Sequence, residues 1–235
     1  MISFILPAHN EAALIAATLQ ALHEAVSLLA LEHETIVVAD ACSDDTAAIA
    51  LDAGANVVVV DHRHIAATRN AGAAAASGQT LFFIDADTHV DATVIRAALA
   101  ALRAGAVGGG AGVRLLGHLS WYERWGEAFL LRVFRITRIA PGCFVFCTRV
   151  AFESAGGFDL RYYAGEDVAF SRALARQGRF VILREAVRTS ARKLRTFTAL
   201  EHLTLCARFA FRGRRVLHSR DELGLWYGER RHDPR

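Results

Sequence analysis

The segment TLFFIDADTHV, residues 80–90, joins a short apolar run to two aspartates that stand one residue apart. An uninterrupted apolar run of this length is typical of a buried strand. Asp85 and Asp87 follow it directly, and neighbouring carboxylates repel each other unless a cation or hydrogen-bond donors lie between them. If the strand continues through both aspartates, their side chains point to the same side of it. The segment therefore predicts a buried strand that ends at a ligand site.

The sequence on either side of this run alternates between strand and helix patterns. In the first half we predict strands at 2–7, 34–40, 56–61 and 80–87, with helices beginning at Asn10 and spanning 43–55, 64–77 and 90–106. In the second half we predict strands within 106–117, 142–149 and 179–185, with helices at 118–138, 149–158 and 165–178. Short connections between alternating elements are typical of a parallel sheet covered by helices on both faces. We predict an α/β fold in one domain, with a mostly parallel sheet and a Rossmann-like N-terminal half.

Polar side chains follow three of the four predicted N-terminal strands. The carboxyl ends of parallel strands meet at one edge of a sheet, where ligands bind. Mg²⁺ or Mn²⁺ between Asp85 and Asp87 would leave coordination sites for diphosphate oxygens. The alternative is that both acids cap the following helix. The residues that we expect at this edge are His9, Asn10, Glu11, Asp40, Asp85 and Asp87.

Composition narrows the class of protein. With 53% hydrophobic residues the chain has enough apolar surface for a core, which argues against disorder. No run of about 18 uncharged apolar residues is present, so we predict no membrane-spanning helix. The N-terminus lacks the basic region of a signal peptide. The four cysteines form no CxxC pair, which is typical of a cytoplasmic protein with reduced thiols.

Charge is distributed unevenly along the chain. Residues 188–235 hold 12 of the 27 basic residues and only 5 of the 24 acidic ones. This basic tail would contact phosphates or an anionic membrane surface, or it is a solvated arginine-rich end. We predict a cytoplasmic protein with no nucleic-acid partner. Peripheral contact with the inner face of the membrane through the tail stays open.

Four motifs stand in order along the chain: FILPAHNEAALIAATLQAL (4–22), IVVADACSDDTAAIA (36–50), RNAGAAAASGQTLFFIDADT (69–88) and AGGFDLRYYAGEDVAFSRAL (155–174). Together they resemble the family-2 inverting glycosyltransferases of the GT-A fold over residues 2–185. The resemblance implies transfer of one sugar from a UDP- or GDP-linked donor, with Mg²⁺ or Mn²⁺. It divides the chain into a nucleotide-sugar-binding half (1–90), an acceptor half (91–187) and a basic helical tail (188–235).

The resemblance also assigns roles to single residues. Asp40 would contact the nucleotide base, Arg69 and Asn70 would lie near its phosphate and sugar, and Asp87 would be the preferred metal ligand with Asp85 in support. The alternative for Asp40 is a strand-end acid satisfied by the protein. Arg69 would pair with Asp40 or Asp85, which does not exclude a phosphate contact. The full set implied for binding the nucleotide-sugar is Pro7, His9, Asn10, Glu11, Asp40, Arg69, Asn70 and Asp85.

Glu166 and Asp167 match the ED motif of that family. The resemblance implies that Asp167 is the general base and that Glu166 orients it or contacts the acceptor. The alternative is that both acids stabilise the positive end of the helix that they begin. The acceptor, whether glycan, lipid or small molecule, stays open. The roles of two further sets of residues stay open as well. Ser190, Arg192 and Lys193 would either contact the diphosphate or be ordinary surface residues. Trp121, Trp125 and Phe129 would either form a wall of the acceptor site or belong to the core.

Two other functions fit parts of the pattern. A sugar-phosphate nucleotidyltransferase would share the fold, but such enzymes carry a glycine-rich basic loop after the first strand, and PAHNEAAL is not such a loop. A non-catalytic nucleotide-sugar-binding module would have no need of the acid pair 166–167. We therefore expect an enzyme.

Overall fold

One sheet forms the centre of the computed structural model, which describes residues 1–116, 132, 136–137, 139–190, 204, 213–220 and 223. Within these residues, eight strands lie in the order β3-β2-β1-β4-β7-β6-β8-β5. The strands are β1 Ile2–Ala8, β2 His33–Asp40, β3 Asn56–Val60, β4 Thr80–Ile84, β5 Thr88–His89, β6 Ala106–Leu116, β7 Phe144–Thr148 and β8 Arg179–Ser190. The helices are α1 Ile15–Ser27, α2 Thr46–Asp52, α3 Ile65–Ala75, α4 Ala92–Arg103, α5 Arg149–Ala155 and α6 Glu166–Gln177, and Gly213–His218 is a 3-10 helix.

The strand directions confirm the predicted mostly parallel sheet. β1 is parallel to β2 and β4, and β2 is parallel to β3, which gives the Rossmann-like N-terminal half. β7 lies antiparallel between β4 and β6, and β6 is parallel to β8. The short β5 pairs antiparallel with β8 at the edge of the sheet.

Each face of the sheet is covered by its own hydrophobic core, which is why the strands are apolar at nearly every position. Phe4 and Phe82 face the core that α1 and α4 cover. Ile5 and Phe83, their neighbours along the two strands, face the core that α3, α5 and α6 cover. Side chains that alternate between two buried faces account for the continuous apolar runs in the sequence.

Helix α3 consists mainly of small residues because it lies directly on β1. A Cβ atom at Gly72 would stand 2.4 Å from Cγ2 of Ile5, which is closer than atoms in contact allow. The glycine thus sets the depth at which α3 packs on the sheet. This depth positions Arg69 and Asn70, which lie on the same helix.

Two predicted boundaries at the sheet edge are wrong. Helix α1 begins at Ile15, and Asn10 does not cap it: Asn10 has φ +51° and its Oδ1 accepts a hydrogen bond from the Ser43 amide at 2.8 Å. Strand β4 ends at Ile84, so Asp85 and Asp87 lie in a turn, which the Thr88 amide closes by donating to the Asp85 carbonyl at 3.0 Å.

The other predicted elements are confirmed with shifted ends, and β8 is longer than predicted because it pairs with β5 as well as β6. The predicted helix 118–138, with its three aromatic residues, lies outside the described residues apart from isolated positions. The same holds for residues 191–212 of the basic tail, which include Arg192 and Lys193. Over the part of the chain that the structure describes, none of the helices combines the length and apolar character required to cross a membrane.

Candidate active site

A cleft of about 830 Å³ opens where β1, β2 and β4 end. The 7–11 segment lines one part of it and the turn carrying Asp85 and Asp87 another. The segment 163–167, at the start of α6, lines a third part. The predicted convergence of polar residues at this edge is therefore present. The predicted site residues that line the cleft are Pro7, His9, Asn10, Glu11, Asp40, Arg69, Asp85, Asp87, Glu166 and Asp167.

Asp40 organises the loop between β3 and α3. Its carboxylate accepts hydrogen bonds from the backbone amides of residues 62, 63 and 64, at 2.7, 2.8 and 3.1 Å, and from the Thr68 hydroxyl at 2.7 Å. Burial opposes ionisation, but these donors outweigh it and hold the pKa of Asp40 below its usual range. The structure thus shows the alternative role, an acid satisfied by protein donors. A contact from Asp40 to a nucleotide base stays a prediction.

The segment after β1 is fixed to the loop after β2 by three contacts. His9 Nδ1 lies 2.6 Å from the Asp40 carbonyl oxygen, and the side chain of Asn10 holds Ser43 as described above. The Glu11 amide donates to the Thr46 hydroxyl at 2.8 Å. Residues 9–11 therefore form a rigid cleft wall rather than the first turn of a helix.

Arg69 joins two parts of the cleft that are distant in sequence. Its guanidinium donates to Glu166 Oε1 at 2.7 Å, to Asp85 Oδ1 at 2.9 Å and to the Gly142 carbonyl at 2.8 Å. The side chain is only 2% exposed. Burial lowers the pKa of Arg69, but the charges of Asp85, Glu166 and Asp167 together with the hydrogen bond to Asp85 raise it by more, so the charge is retained. Of the two ion pairs predicted for Arg69, the structure shows the one with Asp85.

Asn70 does not line the cleft. Its side-chain amide donates to the Phe158 carbonyl at 2.8 Å, and its Oδ1 accepts from the Phe158 amide at 2.9 Å. A nucleotide contact from Asn70 is therefore not supported, because both polar atoms of its amide hold the turn after α5. Gly156 and Gly157, with φ of +77° and +71°, form that turn.

Asp85 and Asp87 present their carboxylates to the cleft from the turn after β4. The side chain of Asp85 is 31% exposed, and its backbone amide donates to the Cys143 carbonyl. Asp87 is tied to the end of β8: its carbonyl accepts from the Ser190 amide, and its Oδ1 accepts from the Thr189 hydroxyl at 3.3 Å. Within the described residues no group of three or more His, Cys, Asp or Glu side chains forms a complete metal site.

Glu166 and Asp167 occupy the first turn of α6, after Gly165 with φ +73°. Glu166 is buried against Arg69, whereas Asp167 is only partly buried. Burial raises the pKa of both carboxyl groups above the ordinary values of 4.5 and 3.8, against the opposing charge of Arg69. The charge of Asp85 adds to the rise in each case. Elevated carboxyl pKa values are typical of acids that take up protons in catalysis.

A substitution next to Asp167 tests whether its position matters. A Cβ atom at Gly142 would lie 2.9 Å from Asp167 Oδ2, so we expect Gly142→Ala to displace this carboxylate and lower turnover at least tenfold. Gly105→Ala is the control: its positive φ of +85° strains the backbone, but nothing lies within 4 Å of the new atom. It should lower the melting temperature and leave turnover unchanged. Equal turnover in the two variants would contradict this role of the Asp167 position.

Several cleft residues could not be found from the sequence. Arg63, His64 and Arg220 line the cleft and belong to none of the motifs noted above, and Tyr163, which also lines it, lies within the motif 155–174 but was given no role there. Arg220 comes from a segment more than 50 residues after the acid pair, and no local pattern signals its return. Only the tertiary fold reveals it.

Comparison with known proteins agrees with this geometry. The family model described as Glycosyl transferase family 2 matches residues 3–155, well over half of the chain. No curated protein sequence is a significant match.

Three solved structures share the fold. S. aureus TarS 1–349 has a TM-score of 0.64 at 16% identity, with 96% of this chain and 77% of that chain covered. The mannosyltransferase PcManGT from Pyrobaculum calidifontis, in complex with GDP-Man and Mn²⁺, has a TM-score of 0.66 at 17% identity, covering 87% of this chain and 59% of that one. Glucosyl-3-phosphoglycerate synthase from Mycobacterium tuberculosis, in complex with Mn²⁺, UDP and glucosyl-3-phosphoglycerate, has a TM-score of 0.60 at 21% identity, covering 88% and 76%.

At these identities the solved structures establish the fold, and they confirm the predicted GT-A-like architecture. The family model covers β1 to β4, the cleft segments that they carry, and the chain on to the end of α5. The chain therefore belongs to glycosyl transferase family 2, and it is a glycosyltransferase.

Proposed function

We propose that this glycosyltransferase moves one sugar from a UDP- or GDP-linked donor to an acceptor hydroxyl, with inversion at the anomeric carbon and with the help of Mg²⁺ or Mn²⁺. The main support is that the two acid pairs, 85/87 and 166/167, line one cleft at the carboxyl ends of the strands. They come from segments about 80 residues apart in the sequence. An arrangement of this kind suits a donor phosphate at one end and an acceptor hydroxyl at the other.

The charge of the cleft supports the use of a divalent cation. Among the described residues, six carboxylates line it against three arginines, and the charge of Arg69 is already matched by Asp85 and Glu166. A diphosphate entering so acidic a cleft would be repelled unless a cation accompanied it. The carboxylates of Asp85 and Asp87 are suitable ligands for such an ion. Mg²⁺ commonly binds one or two carboxylates and completes its coordination with water and substrate phosphates.

Asp87 would hold the cation, with Asp85 in support. A bound Mg²⁺ or Mn²⁺ would neutralise the charge that develops on the leaving diphosphate. The hydrogen bonds to Thr189 and Ser190 orient the turn at Asp87, and Arg69 orients the carboxylate of Asp85. PcManGT and the M. tuberculosis synthase were both solved with Mn²⁺, which agrees with this proposal.

The wall formed by 7–11, with Asp40 and Ala41 beside it, would hold the nucleoside. Pro7, His9, Asn10 and Glu11 line the cleft beside Asp40 and Ala41. Because the Asp40 carboxylate already accepts four hydrogen bonds, a base would be recognised mainly through backbone groups of this wall.

Asp167 would accept the proton of the acceptor hydroxyl while the hydroxyl oxygen attacks the anomeric carbon on the side opposite the leaving diphosphate. Of the two acids it is the more exposed, and burial gives it the raised pKa that a base requires. Glu166 is held by Arg69 and would act as a positioning residue.

The acceptor class, glycan, lipid or small molecule, is left open. We keep as proposals a cytoplasmic location and contact of the basic tail with the inner membrane face, both supported by sequence alone.

A donor panel tests the reaction class. We expect release of UDP or GDP from at least one nucleotide-sugar, dependent on Mn²⁺ and abolished by EDTA. Release of pyrophosphate from a nucleoside triphosphate and a sugar phosphate would instead support the nucleotidyltransferase alternative. Donor binding without any turnover across acceptor glycans, lipids and small molecules would support a non-catalytic module.

Asp87→Asn should abolish metal-dependent binding of the donor while the fold stays intact. The substitution removes the charge that we assign to the cation but keeps the shape of the side chain. Isothermal titration calorimetry of UDP and GDP with Mn²⁺ measures the effect, and we expect at least a hundredfold weaker affinity. Asp91→Asn is the matched control, because Asp91 caps α4 and lies outside the cleft. Unchanged nucleotide affinity in Asp87→Asn would refute the metal assignment.

A further inference from the structure

We infer that Arg63 and Arg220 form a phosphate-binding subsite on the wall of the cleft beside Glu166 and Asp167. This inference rests on the proposed function and deepens it, since it names the chemistry of a group bound there. Both arginines line the cleft, and neither belongs to the metal site or the acid pair. The described lining residues include three arginines, Arg63, Arg69 and Arg220, and Arg69 pairs with two carboxylates.

Arg220 is held at the cleft by a folded C-terminal segment. The Tyr163 amide donates to the Leu217 carbonyl at 2.8 Å, and the Leu223 amide donates to the Arg220 carbonyl at 3.0 Å. Val216 and Leu223, on either side of Arg220 in sequence, are fully buried in a small hydrophobic cluster with Ala164. The backbone position of Arg220 is therefore set by packing and is not that of a loose tail.

Arg63 is placed by the loop that Asp40 orders. Its backbone amide donates to Asp40 Oδ1, and its φ of +46° is unusual for a residue with a side chain. The side chain is 57% exposed, and its Nε lies 3.6 Å from Asp61 Oδ1, which is itself exposed. An ion pair of this kind contributes little to stability, so a phosphate can compete with Asp61 for the guanidinium.

A chain of contacts links the segments that carry the two arginines. The ring of His64, which follows Arg63, packs against Tyr163 with ring centroids 4.5 Å apart, and its Nε2 lies 2.9 Å from the Leu160 carbonyl oxygen. Tyr163 in turn holds Leu217, three residues before Arg220. Tyr163, Ala164 and Gly165 lead directly into Glu166 and also line the cleft. The segment that packs on Leu217 therefore leads directly into the acids that we assign to the acceptor.

The ligand chemistry follows from the guanidinium group. Its planar set of donors matches the oxygens of a phosphate and can bind two of them at once. A phosphate bound here would belong either to the acceptor or to the diphosphate of the donor. The contact between the segment that carries Arg220 and the segment that leads into the acid pair favours a phosphorylated acceptor. The carboxylate-rich remainder of the cleft would repel such a group, so the two arginines would fix its orientation.

Titrations with the full-length protein test the subsite. The variants are Arg220→Gln and Arg63→Gln, with Arg172→Gln, an exposed arginine of α6 outside the cleft, as the matched control. The probes are inorganic phosphate and glycerol 3-phosphate followed by ³¹P NMR, glycerol as the uncharged counterpart, and UDP or GDP with Mn²⁺ followed by calorimetry. Arg220→Lys and thermal unfolding show whether any loss reflects folding.

We expect both phosphate probes to bind roughly tenfold more weakly to Arg220→Gln and Arg63→Gln, with the Arg172→Gln control and nucleotide affinity unchanged. Loss of nucleotide affinity together with phosphate affinity would also support the subsite and would identify the donor diphosphate as its ligand. Equal phosphate affinity in all variants and the wild type would overturn the inference. The phosphate titrations need no nucleotide-sugar, so a failure of the proposed function would show separately, as the absence of Mn²⁺-dependent nucleotide binding.

Discussion

Asp167→Asn will lower kcat by roughly 10²–10⁴ while leaving donor affinity within twofold of the wild type. Asparagine keeps the size of the side chain but cannot take the proton of the acceptor hydroxyl. Donor binding should persist because the carboxylates that we assign to the cation, Asp85 and Asp87, lie on a separate turn. Turnover is measured as nucleotide release with acceptor present, and donor affinity by calorimetry with Mn²⁺.

Glu166→Gln is the control for this substitution. It removes a charge beside Arg69, so it should alter the position of Asp167 and lower kcat, but by less than Asp167→Asn. A base must be unprotonated to act, so the kcat of the wild type should fall as pH drops through the raised pKa of Asp167. The midpoint of this fall should lie above 3.8, the ordinary value of an aspartate. Wild-type kcat in Asp167→Asn would assign the base to another residue.

Arg69→Met will destabilise the protein by about 3–5 kcal/mol, the usual effect of removing one partner from a buried ion pair. Methionine fills much of the space but leaves Glu166, which is buried, without its counter-charge. Chemical denaturation measures the free energy of unfolding. Arg161→Met is the control, because Arg161 is 80% exposed and pairs with Asp159 at 2.7 Å on the surface, where such pairs contribute little.

The deficit of Arg69→Met should depend on pH. Without Arg69 the folded-state pKa of Glu166 rises further above the unfolded value near 4.5, because one of the groups that lowers it is gone. The folded state then binds the proton of Glu166 more tightly than the unfolded state does. Stability therefore falls as pH rises from the unfolded-state pKa through the folded-state pKa. The variant should therefore lose more stability at pH 8 than at pH 5. A deficit similar to that of Arg161→Met at both pH values would contradict the buried network.

The sequence predicts the N-terminal sheet well because its strands are buried on both faces. Runs such as 81–84 and 36–39 have no polar residue that would interrupt the pattern, and the short connections leave few ways to join them. The edge at which Asp40, Asp85 and Asp87 gather follows from that topology alone. Local pattern and tertiary structure agree here, so fold class and site location could be predicted together.

Other features depend on contacts between distant residues, which no local pattern reveals. Asparagine is a common helix-capping residue, but the side chain of Asn10 accepts a hydrogen bond from the Ser43 amide, 33 residues away. Asn70 stands next to Arg69 in a motif, but successive residues of a helix point in different directions, and only Arg69 faces the cleft. The position of Arg220 at the cleft depends on the burial of Val216 and Leu223. The local sequence pattern does not predict that burial.

A crystal grown with Mn²⁺ and UDP or GDP, measured at the manganese absorption edge, tests the central proposal most directly. We predict one strong anomalous peak within coordination distance of an Asp87 carboxylate oxygen and of both phosphates of the nucleotide. The nucleoside should lie against residues 7–11. A nucleotide bound outside the cleft, or a peak with no carboxylate from the turn after β4 among its ligands, would contradict the proposal.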